Sequence, residues 1–454
     1  MKASKKAGPA HSPSALSAIS ALFQRDPTEL KPWATNARTH SEAQLVMLMA
    51  SITEYGFTAP VLIDENSNIL AGHGRVLAAL RLKLPQVPTV VLGGLTQAQK
   101  RAYVIADNKT AQLSGWNGDL LKAEFEVLIR EEFQIELTGF STAEVDLTLD
   151  AGTKPPNDDP DDELPEETLA VVTRLNDVWQ LGDHRLMCAS ALDPSAYHAL
   201  MVGQVAQMCI TDPPYNVKIA GHVCGNGKKQ HKNFIEASGE KTPQEFIDFL
   251  GRALGLVAKF TQNGGIVFTF MDWRHLSEIL EAARPVLGAP RQICVWVKDN
   301  GGMGTFYRSQ HEFVPVFKNG DAPHINNFEL GQHGRYRTNV WNYPGVNTFT
   351  GRGYELLALH PTVKPVSMIA DAIRDCSTRK GVILDPFAGS GTVILAAERT
   401  GRRARAIELD PQYVDVGVRR WQERTGKLAT LEATGRTWDE VAAERLPSNE
   451  WEAS

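Results

Sequence analysis

Apolar and polar positions change rhythm several times along this chain, and the changes divide it. From residue 24 to about 100 the pattern predicts a small mixed domain: a helix from Glu42 to Tyr55, a strand at "PVLIDE", a turn, and then "ILAGHGRVLAALRLKL". Residues 96 to 148 read as helical, so this domain with its helical extension is assigned to 24–149, after a disordered N-terminus over 1–23. The stretch "DAGTKPPNDDPDDELPEE", residues 150 to 167, reads as a solvated linker, because its prolines and like charges cannot bury enough apolar surface to fold. Beyond it, the apolar runs "QMCIT", "GGIVFTF", "QICVWVK", "HEFVPVFK" and "GVILD" alternate with helical stretches at 243–260 and 273–284. Such alternation predicts a mostly parallel α/β sheet, and a second domain over 168–426. Residues 320–358 break the rhythm and read as an insertion, and 427–454 as a polar, weakly ordered tail.

Length and charge change this picture little. A chain of 454 residues exceeds one ordinary core, which agrees with two or three domains. The net charge of −6 argues mildly against a nucleic-acid partner, but Asp158, Asp159, Asp161, Asp162, Glu163, Glu166 and Glu167 supply seven negatives, and without them the remainder is about +1. Five scattered cysteines with no C-x-x-C pair fit a reducing cytoplasm better than a disulfide framework or a zinc site. Neither a secretion signal nor a membrane span is expected.

Candidate chemistry begins with "GVILDPFAGSGTVILAAERTGRRARAIELD", residues 381–410, which reads as strand, glycine turn, helix, glycine stop, strand, acid. Gly389 and Gly391 let backbone approach a ligand, Gly401 is placed to end the helix, and Glu408 falls where an acid reaches a ribose diol in Rossmann-type sites. The loop lacks a G-K-[ST] ending and a third spaced glycine, which weakens nucleoside triphosphate and dinucleotide readings. A nucleoside with a cationic tail suits acids at both strand ends, with Asp385 facing an ammonium; S-adenosylmethionine has that shape.

The second candidate is "TDPPY", residues 211–215. Pro213 and Pro214 fix their own φ and bias the residues before them, so Asp212 emerges on a rigid turn after an apolar strand. The carboxylate and a proline carbonyl can both accept hydrogen bonds from one amino group while Tyr215 stacks on the ring that bears it, which disperses charge developing on a poor nucleophile.

These motifs resemble the β-class (permuted) DNA amino-methyltransferases, in which D-P-P-Y precedes the F-x-G-x-G loop. The resemblance covers residues 171–425 and rests on "TDPPYNV" at 211–217, "HPTVKP" at 360–365 and "DPFAGSGT" at 385–392, in that order. It implies a Rossmann-like S-adenosylmethionine-dependent methyltransferase domain and direct methyl transfer to a flipped base, without metal or covalent intermediate. By this resemblance Asp212, Pro213, Pro214 and Tyr215 hold the target base, and His360, Thr362, Lys364, Asp385, Phe387, Gly389, Ser390, Gly391 and Glu408 line the cofactor pocket. Aspartate in the first motif is typical of adenine methylators and serine of cytosine N4 ones, so Asp212 favours adenine; cytosine and a non-catalytic DNA-binding regulator stay open. One departure is "CASA" at 188–191 in place of C-G-D-S, which puts Ser190 where relatives contact the cofactor's adenine and leaves Asp193 as a substitute.

Double-stranded DNA is the expected partner, with self-association into a homodimer left open. Target recognition is assigned to 299–358, where Arg308, His311, Lys318, His333, Arg335, Arg337 and Arg352 interleave with Phe306, Tyr307, Tyr336, Trp341 and Tyr343. Lys228 and Lys229 in "GNGKKQHK" add a basic loop. The N-terminal "ILAGHGRVLAALRL", followed by "VPTVVL", resembles an α+β ParB-like domain, supported by "NARTH" and "ADNKTA". Its box reads G-H-G-R rather than the usual G-E-R-R, and Arg75 at the helix start suits a DNA phosphate or a nucleotide.

Overall fold

A computed structural model describes residues 19–111, 113–151, 159–165, 170–217, 237–299, 301, 306–328, 331, 336–345 and 363–446. Contacts divide the chain into two compact units, Met1–Ser141 and Thr142–Ser454.

The first unit is α+β. Its strands are β1 (Ile19–Arg25), β2 (Val61–Ile63), β3 (Ile69–Ala71) and β4 (Val87–Leu92), in the order β1-β4-β2-β3, with only β2 and β4 parallel. The helix Glu42–Tyr55 has the predicted bounds because both ends are punctuated: the Ser41 side chain accepts from the Gln44 N–H, and Gly56 leaves at φ 76°. Val61, Ile63, Ile69, Val76, Ala79 and Val87 form the core. The N-terminus is not disordered up to residue 23. β1 starts at Ile19 and pairs with β4, a non-local partner that no local pattern reveals.

The second unit is a three-layer α/β structure. Its strands are β5 (Val178–Leu181), β6 (His184–Cys188), β7 (Ala206–Thr211), β8 (Thr261–Thr269), β9 (Gln292–Val297), β10 (His311–Lys318), β11 (Val340–Asn342), β12 (Val382–Asp385), β13 (Arg403–Glu408) and β14 (Thr430–Leu431). They form one sheet in the order β11-β9-β10-β8-β7-β12-β13-β6-β5-β14. The centre, β8-β7-β12-β13-β6, is parallel, while β10 and β5 run antiparallel to their neighbours. Both faces are covered: Met208, Ile210 and Ile383 face one apolar cluster, and Cys209, Val382 and Leu384 the other. That is why "QMCIT" and "GVILD" read as continuous apolar runs instead of alternating ones. Helix Pro243–Phe260 starts at a Thr242/Glu245 capping box and buries Phe246, Phe249, Leu250, Ala253, Leu254 and Val257 along one stripe. The helix predicted at 273–284 is a 3-10 turn over Trp273–His275 followed by an α-helix over Leu276–Leu287.

Further boundaries differ from the sequence reading. Helix Thr142–Asp150 belongs to the second unit, not the first: buried Asp146 pairs with Arg379 at 3.0 Å and Arg402 at 2.8 Å, and Asp150 with Arg374 at 3.0 Å. The acidic stretch is not a solvated linker throughout. Asp159, Asp161 and Asp162 are buried around a 3-10 turn. Arg399 forks onto Asp159 at 2.6 and 2.7 Å and also meets Asp161, which Arg424 joins, and the Val366 N–H donates to Asp162 at 2.7 Å. Burial pushes the Asp162 carboxyl up to about 6. The tail is also packed in part: β14 extends the sheet, and helix Trp438–Arg445 buries Trp438, Val441 and Ala442. Finally, the stretch 320–358 that reads as an insertion contains β11, the edge strand beside β9, while β10 is the strand expected from "HEFVPVFK".

Candidate functional site

Strands β7, β12 and β13 are parallel neighbours, so each delivers the residue after or at its end to one edge of the sheet, the usual ligand edge of open α/β folds. Those residues are Asp212, Asp385 and Glu408. They face a cavity of about 180 Å³ that is also lined by Pro213, Pro214, Tyr215, Lys364, Phe387, Gly389 and Ser390. Of the expected site residues, Gly391 stands behind the wall as the N-cap of helix Thr392–Thr400, and His360 and Thr362 lie outside the described residues.

The glycine turn is built as its sequence requires. Gly391 has φ 81°, and a β-carbon there would stand 3.2 Å from the Cα of Gly417, so helix Pro411–Thr425 closes directly on the turn. Gly401, at φ 67°, ends the helix as predicted. The Gly389 N–H donates to Glu408 Oε2 at 2.8 Å, and the Asp410 N–H to Glu408 Oε1 at 2.9 Å. Asp385 takes Thr211 Oγ1 at 2.8 Å and the Phe387 N–H at 3.1 Å, both on Oδ1. Burial outweighs these donors and lifts the Asp385 carboxyl to about 7; Glu408 is raised for the same reason. Arg420, absent from the sequence reading, braces the turn from behind. Its guanidinium donates to Ser390 O and Oγ, each at 3.2 Å, to Thr392 Oγ1 at 3.1 Å, and to Asp161 O at 2.7 Å.

Beside the turn lies a charge cluster. Lys364 Nζ stands 2.6 Å from Asp212 Oδ2 and 3.2 Å from Glu312 Oε2, and Lys298 Nζ is 2.6 Å from Glu312 Oε1. The Tyr215 hydroxyl lies 2.6 Å from Asp212 Oδ1 and 2.9 Å from Glu312 Oε2. Burial raises Asp212 against the pull of Lys364. Burial acts on Glu312 in the same sense, but Lys364 and Lys298 together hold it below the usual carboxylate range. Lys364 stays charged because two carboxylates offset its own desolvation. Lys364, expected to line the cofactor pocket, lines the cavity and is also the counter-ion of Asp212, and Tyr215, expected to stack on the base, also has its hydroxyl inside the cluster. Glu312 and Lys298 went unnoticed; the available signal was a carboxylate inside the otherwise apolar strand "HEFVPVFK".

The candidate DNA residues separate. Arg337 is not available to phosphate: Nε is 2.8 Å from Asp375, Nη1 is 3.1 Å from the Tyr343 hydroxyl and 3.6 Å from Asp371. Trp341 and Tyr343 are likewise buried, in the apolar cluster under β9 and β11. Lys318 ends β10, far from Asp212, and donates to the carbonyls of Asp321 and Ala322. Arg308 donates to the Gly301 carbonyl at 2.6 Å, beside exposed Phe306 and Tyr307. Lys228, Lys229, His333, Arg335 and Arg352 lie outside the described residues. In the first unit Arg75 is half-buried and donates to the Ala59 carbonyl at 2.6 Å. Ser190 and Asp193 do not line the cavity, and Asp193 caps helix Pro194–Met201 by accepting the Ser195 N–H at 2.8 Å. Among the described residues no group of three or more His, Cys, Asp and Glu could hold a metal ion, and no helix is long and apolar enough to cross a membrane.

Comparison with known proteins agrees with both halves of this picture. Residues 206–419 match the DNA methylase family (N6/N4), and residues 119–175 match the ParB-methyltransferase HTH domain. Over 80 residues, 18% of this chain and 92% of the relative, the sequence is 58% identical to the ParB-like nuclease domain-containing protein YnaK of Escherichia coli (strain K12). Over 202 residues, 42% of this chain and 61% of the relative, it is 31% identical to the DNA adenine methyltransferase YhdJ of the same organism. Among solved structures, the M1.HpyAVI–SAM complex is similar over 52% of this chain and 97% of its own, at 18% identity and a TM-score of 0.38.

Proposed function

Since residues 206–419 match the N6/N4 DNA methylase family and the chain carries a ParB-like domain, we propose that it methylates the exocyclic N6 amino group of adenine in double-stranded DNA, using S-adenosylmethionine. The observation that carries this reading is Asp212: a carboxylate on a proline-stiffened turn, countered by Lys364 at 2.6 Å, on the wall of the cavity that Asp385 and Glu408 also line. The cofactor supplies an electrophilic methyl group. Glu408, oriented by two backbone N–H groups, is set to accept from ribose hydroxyls, and Asp385 to face the ammonium of the tail. Asp212 and the Pro213 carbonyl accept the two amino hydrogens of an extruded base, drawing nitrogen toward tetrahedral geometry and stabilising the positive charge that develops there. Lys364 pulls Asp212 toward the acceptor form, against the burial that raises it. YhdJ is named an adenine enzyme, and Asp212 rather than serine favours the same base here.

Incubating the purified chain with labelled S-adenosylmethionine and DNA, then digesting the product to nucleosides, tests the reading. Labelled N6-methyl-2′-deoxyadenosine is expected, and Asp212→Ala should lower kcat about 10²- to 10³-fold. Label on cytosine would replace adenine by the N4 reading. DNA binding with no transfer would leave a regulator.

A further inference from the structure

We propose that Phe306 and Tyr307 form an aromatic wedge that enters the base stack of the DNA duplex beside the extruded nucleotide. The inference rests on the methyltransferase reading and adds a recognition surface to it.

Phe306 and Tyr307 are the most exposed large hydrophobic side chains among the described residues, at 85% and 87%. Their ring centroids are 4.4 Å apart, so they present one joint apolar surface to water. The connection that bears them is closed at its neck. Arg308 donates to the Gly301 carbonyl at 2.6 Å, the Gln310 side-chain amide to the Lys298 carbonyl at 2.7 Å, and Lys298 pairs with Glu312 at 2.6 Å, where β9 and β10 are joined by the register His311↔Val297. The described residues on either side of the pair are therefore tied together at this neck.

Its position follows from topology. β10 runs antiparallel to β8, and Met271, just beyond the end of β8, bridges to Phe313. The β9–β10 connection thus leaves the sheet at the same edge as the Asp212 turn. The neck and the turn also share a residue: Glu312 contacts Lys298 of the neck and, at 2.9 and 3.2 Å, Tyr215 and Lys364 of the charge cluster. A base drawn toward Asp212 leaves a gap in the duplex, and this exposed pair, on the same edge of the sheet, offers a surface able to fill such a gap by stacking. Apolar side chains that enter base steps and aromatic rings that stack on bases are established modes of nucleic-acid contact, and both tolerate any base.

The test uses the full chain and a duplex containing the sequence recovered by methylation-sensitive sequencing of DNA from cells expressing it. With Phe306→Ala/Tyr307→Ala, kcat/KM on paired DNA should fall about 10- to 100-fold, and the fluorescence rise of 2-aminopurine at the target position should shrink. S-adenosylmethionine binding by calorimetry should be unchanged, which also reports folding. A mismatch opposite the target weakens the stack in advance, so the variant should recover most of its rate there, and Tyr307→Phe should behave as wild type on both duplexes. Wild-type rates on paired DNA, or an equal loss on paired and mismatched DNA, overturn the wedge. A wild-type chain that methylates no DNA instead overturns the parent reading.

Discussion

The chain builds the same local device twice, and only one copy opens onto a cavity lined by acids. In the first unit β3 passes through Gly72, at φ 100°, into helix His73–Arg81; in the second, β12 passes through Gly391, at φ 81°, into helix Thr392–Thr400. Neither helix has a side-chain N-cap, so both leave N-terminal amides for another partner. In the first unit the protein's own side chains crowd that turn. The Arg75 guanidinium lies 3.2 Å from where a Gly72 β-carbon would stand, the His40 ring 3.0 Å from that of Gly74, and His73 Nε2 accepts the Trp33 N–H at 3.1 Å. In the second unit the turn borders the cavity between Asp385 and Glu408. A strand–glycine–helix sequence is thus permission for a ligand. The ligand chemistry comes from acids on neighbouring strands and from the space left beside them.

The largest expected effect separates the two turns directly. Gly391→Ala forces an alanine into a left-handed conformation 3.2 Å from the Gly417 backbone, which costs about 1–2 kcal/mol from the backbone alone. We expect it to abolish S-adenosylmethionine binding by calorimetry and to lower the melting temperature. Gly72→Ala carries a similar backbone cost but should leave cofactor binding intact. Equal loss of cofactor binding in both variants would erase the distinction drawn here.

A smaller effect concerns pH. With the Asp385 carboxyl lifted to about 7, the site without ligand holds a proton below that pH, and a cationic ligand must displace it. Affinity for S-adenosylmethionine should therefore fall by up to about tenfold per pH unit below 7 and level off above it. In Asp385→Asn the affinity should be weak and flat with pH; a wild-type profile flat from pH 5.5 to 8 would show that Asp385 does not face the charge. The smallest effect belongs to the first unit. Arg75→Ala should leave methylation of a short duplex unchanged, and if Arg75 meets a phosphate it should lower the salt-dependence slope of DNA binding by about 1. An unchanged slope would make Arg75 a packing residue of its turn.

The sequence by itself determined what depends on neighbours in the chain. The bounds of helix Glu42–Tyr55, the stop at Gly401, the rigid Asp212 turn and the positions of Asp385 and Glu408 at strand ends all follow from periods of two or 3.6 residues and from glycine and proline punctuation. What it could not supply was the identity of distant partners. The acids at 159–162 read as solvated because the arginines that neutralise them, Arg399 and Arg424, lie more than 230 residues away. Arg337 read as a phosphate ligand because Asp371 and Asp375 are brought to it only by packing. Glu312 and Lys298 joined the charge cluster because antiparallel pairing of β9 and β10 sets them beside Asp212 and Lys364. A charged side chain's pattern says that it needs water or a partner; only the tertiary structure decides which, because burial and Coulomb attraction depend on distances in space that sequence separation does not encode.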